Sequence, residues 1–283
     1  MQFILRLCIA ATLVLAVPLA IADRAESKIE DQIGKLRSLP DNQRAAATIK
    51  LANEVQALPA GKPKLRMADE LSHMVTEGDQ GDAALQAVAD TLAKALAETP
   101  VPAKGDQPPM PYFDLAQLVR YKHVNVSIAD PLFAKAAQIL ENQDAAIEKA
   151  DFTLTDANNK KWTLSQLRGK IVLINFWATA CAPCRAEMAN LDVIDTRYAS
   201  QGLVILSITD DDAFAVRSFF SEMNYHPTVL FDSGGSVHKL FHVTGIPRTF
   251  VLDREGKLAG VGINQCTQMQ FYEMLAMAGL RPH

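Results

Sequence analysis

The apolar run Ile171-Val172-Leu173-Ile174-Asn175-Phe176-Trp177 leads, after three small residues, into Cys181-Ala182-Pro183-Cys184, and an amphipathic helical pattern starts on that tetrapeptide. A dithiol is thereby placed where a buried strand gives way to a helix. Unpaired backbone N–H groups and the positive end of the helix dipole favour an anion at that point, so the thiolate of Cys181 is stabilised and Cys181 is the better nucleophile. Cys184, about one turn further in, is close enough to close a disulfide but more buried and less acidic, which makes it the resolving thiol. Pro183 falls in the first turn, where a missing N–H is harmless and a fixed φ suits the helix.

A CxxC is also half of a zinc site, but zinc needs two further ligands at comparable spacing. The only other cysteines are Cys8 and Cys266, so a four-thiolate site is impossible and a mixed site would have to recruit scattered histidines. Redox chemistry is the reading that remains. The implied cofactor is none beyond the Cys181/Cys184 disulfide itself.

The stretch from Leu167 to Cys184, LRGKIVLINFWATACAPC, resembles the TlpA/ResA family of extracytoplasmic thiol-disulfide oxidoreductases. The resemblance runs from Phe152 to the end of the chain. Phe152–Asp156 and Trp162–Leu167 look like that family's N-terminal β-hairpin, with Asp156 to Lys160 as the polar turn. Gly245-Ile246-Pro247-Arg248-Thr249-Phe250-Val251-Leu252-Asp253 looks like its cis-proline strand. The resemblance implies that Pro247 is cis, lies against the sulfurs and leaves the backbone of Ile246 free to pair with a substrate strand. It also implies that Trp177 packs beside the pair, with Trp177, Ala180 and Ile246 lining the substrate site.

Two positions depart from the family pattern. Ala180 stands where an aromatic often precedes the first cysteine, which reduces the cover over the dithiol. Asn175 occupies the place of the buried carboxylate of cytoplasmic thioredoxins and cannot take a proton from Cys184. Glu187, three residues beyond Cys184, matches an acidic residue of the ResA-like branch and is the candidate proton acceptor, the alternative being a solvated helix glutamate.

Residues 1–22 read as a secretory leader: Arg6 is the positive flank, Leu7 to Leu19 the apolar segment and Ala20-Ile21-Ala22 the cleavage site. The expectation is export to the periplasm. An uncleaved N-terminal membrane anchor is the alternative, although the apolar segment is short of the ~20 residues that span a bilayer. Cys8 leaves with the leader. A net charge of −4 gives no sign of a nucleic-acid partner, and 283 residues with 49% hydrophobic and 21% charged positions allow two globular domains.

Residues 23–148 are rich in Ala, Leu, Lys, Glu and Gln with apolar positions at helical spacing, such as Leu85, Val88, Ala89, Leu92 and Leu96. Breaks at Leu39-Pro40-Asp41, Leu58-Pro59, Gly78 to Gly81 and Pro100 to Pro111 divide them into about six helices in antiparallel hairpins. This all-α domain holds no recognisable catalytic motif. It is either a structural and self-associating unit or an adaptor for a protein partner. Residues 149–283 then alternate strands and helices as an α/β thioredoxin-like fold, with an extra helix and strand between Thr209 and Phe231 that matches the TlpA/ResA group.

The predicted activity is reduction of a disulfide in a substrate protein through a mixed disulfide, with a membrane thiol carrier as electron donor. The substrate classes implied are apocytochrome c, a copper-site cysteine pair or a misfolded exported protein. The alternatives are a copper metallochaperone using the dithiol with His238 and His242, and a thiol peroxidase. Against the peroxidase stands Ala178, which occupies the place three residues before Cys181 where such enzymes need Thr or Ser. Cys266, just before the last helix, is either an acidic helix-entry thiol or a small buried hydrophobe.

Overall fold

The structure, a computed structural model, describes residues 24–221, 225 and 227–280. The leader read at residues 1–22, with Cys8, lies outside the described residues, as do Met223 at the expected end of a helix, His226 and His283. The chain divides into two compact units. One comprises the chain up to Val75, Gln80–Val119 and Val124–Phe133; the other comprises Thr76–Asp79, Arg120–His123 and Ala134–His283.

The first unit is helical. Its elements are α1 (residues 24–35), a 3-10 turn Leu36–Ser38, α2 (Asp41–Ala57), α3 (Lys62–Met74), α4 (Gly81–Glu98), most of α5 (Met110–Tyr121) and the start of α6 (Pro131–Ile147). The breaks expected at prolines and glycines are where these helices stop: Pro40 precedes α2, and Gly61 precedes α3. α4 packs on α2 and α3 through Val88, Ala89, Leu92 and Leu96, all fully buried. One charge is buried among them. The Lys64 ammonium donates to Glu98 Oε2 at 2.7 Å and to the carbonyls of Gln56 and Leu58 at 2.8 and 3.1 Å, which satisfies all three of its protons.

The second unit is built on a seven-stranded sheet in the order β2-β1-β5-β4-β3-β6-β7. The strands are β1 (Thr153–Asp156), β2 (Lys161–Thr163), β3 (Ile171–Phe176), β4 (Leu203–Thr209), β5 (Thr228–Phe231), β6 (Arg248–Leu252) and β7 (Leu258–Ile263). Between them run α7 (Ala182–Tyr198), α8 (Ala213–Phe220) and α9 (Ser236–Leu240), and α10 (Gln268–Met277) ends the unit. β3, β4 and β5 are parallel and central, β6 and β7 antiparallel, and the β1/β2 hairpin turns on Asp156. This is the thioredoxin-like α/β arrangement.

Both faces of β3 are covered, which explains its unbroken apolar sequence. Alternation sends Ile171 and Leu173 into one core with Leu191, Ile194 and Phe271, and Val172, Ile174 and Phe176 into the other with Phe241 and Phe250. Asn175 shares the face of Ile171 and Leu173. A polar side chain is thereby delivered under α7, at the end of the strand where the cysteine motif begins.

Candidate active site

β3 stops where its neighbours do. The N–H of Trp177 still donates to Ile208 of β4 at 3.1 Å, and the chain then folds into a turn closed by Cys181 N–H on the Ala178 carbonyl, also 3.1 Å. Cys181 is the N-cap of α7: its sulfur accepts the N–H of Cys184 at 3.2 Å, and its carbonyl accepts that of Arg185 at 3.1 Å. Sulfur takes the part that a serine or aspartate side chain plays in ordinary capping. Cys181 and Cys184 are joined as a disulfide. Cys181 is half-buried while Cys184 is only 1% exposed, and the neighbours Ala180, Ala182 and Pro183 are exposed. One sulfur faces outward and the other inward, so an incoming nucleophile or disulfide meets Cys181 first.

One turn along α7 from Cys184 lies a buried polar cluster. Glu187 is 1% exposed, which overturns the solvated alternative. Its Oε1 accepts from Asn175 Nδ2 at 2.9 Å and from Thr249 Oγ1 at 3.4 Å, and its Oε2 accepts the backbone N–H of Cys266 at 2.7 Å. Burial pushes the Glu187 carboxyl up to about 8, against the opposing pull of the Cys266 N–H and Thr249 hydroxyl. A carboxyl poised there can both hold and accept a proton near neutral pH.

The strands bring these partners together by register. Asn175 pairs with Ser207 of β4 on one side and Thr249 of β6 on the other, so three polar side chains line up across the sheet. Asn175 Nδ2 also donates to Thr249 Oγ1 at 3.1 Å. Three buried polar atoms here, Asn175 Oδ1, Ser207 Oγ and Trp177 Nε1, have no hydrogen-bond partner among the described residues.

Cys266 is completely buried, and its thiol is pushed well above its usual range by burial and by the neighbouring Glu187. It is the small buried hydrophobe of the two readings, not an acidic helix-entry thiol. Room for its sulfur comes from Gly262, the partner of Thr249 on β7, where a Cβ would stand 2.4 Å from Cys266 Sγ.

Pro247 and Ile246 reach the same end of the sheet, because Phe176 pairs with Arg248 at the start of β6. The Ile246–Pro247 peptide is cis; Pro247 is buried and Ile246 is 37% exposed. Trp177 packs in one core with Cys184, as the resemblance implies, but it is too deeply buried to line a substrate site. It is completely buried, against Phe219 and Phe220 at ring distances of 5.4 and 5.5 Å, in the core that also holds Cys184. It supports the pair from within, while Ala180 and Ile246 are exposed.

His238 is engaged by Asp232. Its Nδ1 lies 2.8 Å from Asp232, whose carboxylate also accepts the N–H groups of Ser236, Val237 and His238 at the start of α9. His242 lies just beyond α9, exposed. Among the described residues the one cluster whose ligand atoms converge within 4.8 Å is Asp69, His73 and Asp114 in the helical unit, with His73 half exposed. Two carboxylates and an imidazole assign no ion by themselves, and the cysteines take no part.

Three members of the site escaped the sequence reading: Thr249, Ser207 and Asp211, whose carboxylate holds the N–H of Thr179. The first two interrupt otherwise apolar strands, and Asp211 sits in an acidic triplet at the carboxyl end of β4, the end of an open α/β sheet where function collects.

The AhpC/TSA family model matches residues 146–261. Thiol-disulfide oxidoreductase ResA of Bacillus thuringiensis subsp. konkukian is 31% identical over 136 residues, which cover 48% of this chain and 79% of that protein. The chain belongs to the ResA family of thiol-disulfide oxidoreductases. ResA of Bacillus subtilis is 30% identical over 150 residues, 53% of this chain and 82% of that protein. Among solved structures, a thiol:disulfide interchange protein of the thioredoxin family from Chlorobium tepidum is 25% identical with a TM-score of 0.42, covering 45% of this chain and 92% of that one. The family assignment makes the protein a thiol-disulfide oxidoreductase whose partner carries a disulfide.

Proposed function

We propose that the protein is an exported reductase of protein disulfides working through Cys181 and Cys184. The Cys181 thiolate attacks one sulfur of the substrate disulfide; that S–S bond breaks, a Cys181–substrate disulfide forms and the other substrate sulfur leaves as a thiolate. Cys184 then gives its proton to Glu187 in the fraction of molecules whose carboxyl is ionised, a fraction that grows toward pH 8, and attacks the Cys181 sulfur. The second substrate thiolate departs, the substrate has gained two electrons, and the Cys181–Cys184 disulfide has re-formed. A dithiol carrier in the membrane restores the starting state by the same exchange in reverse.

The observation that carries this reading is the pairing of a half-buried outer sulfur at the α7 N-terminus with a buried carboxyl one turn beyond the inner cysteine. Pro247, which has no N–H, and Ile246 border the same end of the sheet and offer backbone for a substrate strand to lie against. The residues between the cysteines, Ala182 and Pro183, supply no cation to stabilise the thiolate, which favours the reducing direction. Export rests on the leader sequence, and no helix of the described residues is long and apolar enough to cross a membrane. The helical unit is assigned no chemistry; its place in this reading is as a platform for a partner or for self-association.

The test is the reduction potential of the Cys181/Cys184 couple in redox buffers. A value in the range of thioredoxin, about −270 mV, supports a reductase. A value near −120 mV, that of a strong oxidant, contradicts the direction.

A further inference from the structure

β4 ends at Thr209, and the next three residues are all acidic. They are used differently. Asp212 caps α8, its carboxylate accepting the N–H groups of Phe214 and Ala215 at 2.8 Å each, and Asp210 is exposed. Asp211 turns toward the cysteine motif: its own N–H donates to Thr209 Oγ1 at 3.1 Å, and its Oδ2 accepts the N–H of Thr179 at 2.6 Å. Thr179 lies in the turn closed by Cys181 N–H on the Ala178 carbonyl. The carboxylate therefore grips the turn that presents the first cysteine to α7.

A fixed charge there has an electrostatic consequence. Two peptide steps put the Cα atoms of Thr179 and Cys181 at most about 7.6 Å apart, less in a closed turn. With the 2.6 Å hydrogen bond and the reach of the cysteine side chain added, the Asp211 carboxylate lies at most about 14 Å from the Cys181 sulfur, under two Debye lengths at physiological ionic strength. The helix N-terminus stabilises a Cys181 thiolate, and the aspartate opposes it.

We propose that Asp211 is a positioning residue that both holds the Cys181 turn and, by its charge, makes the dithiol more reducing than the helix N-terminus alone would leave it. This rests on Cys181 being the attacking sulfur. The other charges near the turn are Asp210 and Asp212 on the same loop, Arg185 and buried Glu187 on α7, and Arg248 at the start of β6. The contribution of Asp211 is accordingly read as a difference between variants.

The experiment uses the full chain. Asp211→Asn keeps an oxygen for the Thr179 N–H and loses the charge, Asp211→Glu keeps the charge, and Asp211→Ala loses both. The readouts are the pH dependence of iodoacetamide alkylation, with the labelled cysteine located by mass spectrometry, and the equilibrium with glutathione. In Asp211→Asn the apparent pKa of Cys181 is expected to fall by about 0.5. At a pH above the Cys181 pKa, where the thiolate is populated in both proteins, the dithiol form is expected to gain about threefold, equivalent to about 14 mV. Asp211→Glu stays near wild type, and the Asn effect shrinks in molar salt. An Asn variant with unchanged pKa and equilibrium overturns the charge role, whatever the Ala variant does. Alkylation of Cys184 in place of Cys181 in the wild-type protein overturns the underlying assignment, and that result is visible before any variant is compared.

Discussion

The backbone N–H of Cys266 donates to Oε2 of Glu187 across 2.7 Å, joining the entry to α10 with α7 one turn beyond Cys184. The other oxygen of that carboxyl is occupied by Asn175 and Thr249, so protein groups rather than solvent hold both of its oxygens. A carboxyl so enclosed is neutral over most of the physiological range and changes state just above it.

Glu187→Gln keeps the shape of the cluster and removes the proton acceptor. Resolution of the mixed disulfide by Cys184 is expected to slow by about 100-fold. The wild-type rate should rise with an inflection near pH 8, and the variant should lose that inflection. Stopped-flow release of a fluorescent substrate thiol between pH 6 and 9 reads both.

The same group makes stability depend on pH. Its folded pKa of about 8 lies above the unfolded value of about 4.5, so its contribution to stability is fully present below pH 4.5 and is lost as pH rises through 8. A tenfold difference in proton affinity between the folded and unfolded chain is worth about 1.4 kcal/mol, so the loss is of the order of a few kcal/mol. Urea unfolding of the oxidised protein at pH 5, 7 and 9 should show wild type losing ground steadily relative to Glu187→Gln. Parallel curves for the two proteins would contradict the burial of an ionisable carboxyl.

Gly262→Ala is expected to destabilise by about 1–3 kcal/mol, because the new methyl would lie 2.4 Å from Cys266 Sγ and 3.1 Å from Thr249 Cβ. Cys266→Ala removes the nearer atom, so the double variant should recover a large part of the loss. A double-mutant cycle by thermal or urea unfolding measures that coupling. Simple additivity would show that the sulfur and the β7 backbone are not in contact.

In the helical unit, Lys64→Ala leaves Glu98 Oε2 and two carbonyls without their cation. Breaking a buried pair in this way costs about 3–5 kcal/mol, which the partial exposure of Glu98, at 31%, reduces toward the lower end. Circular dichroism at 222 nm against urea should show the helical signal melting earlier. Loss below about 1 kcal/mol would mean that the ammonium is in contact with water.

Much of this architecture was legible in the residues. The strand before the cysteines, the N-cap position of Cys181 and the order of helices between proline and glycine breaks all depend on neighbours in sequence. β5, a short apolar run, lies at Thr228–Phe231 as its pattern predicts. The partners of Glu187 were not legible. Thr249 is 62 residues away and Cys266 is 79, so only the register of β6 on β3 and the docking of α10 bring them in. The substrate-lining role that the resemblance implied for Trp177 fails for a related reason: the aromatic pair on α8 closes over it. Local pattern identified the sulfur chemistry, and long-range packing supplied the groups that tune it.

Cysteine trapping tests the central claim most directly. With Cys184→Ser, a reduced protein mixed with insulin or another disulfide substrate should accumulate a stable mixed disulfide, mapped to Cys181 by mass spectrometry, because the resolving thiol is gone. Cys181→Ser should form no such adduct and should lose insulin reduction by at least about 100-fold. A Cys181→Ser protein that reduces insulin at the wild-type rate, or an adduct on Cys266, would contradict the account.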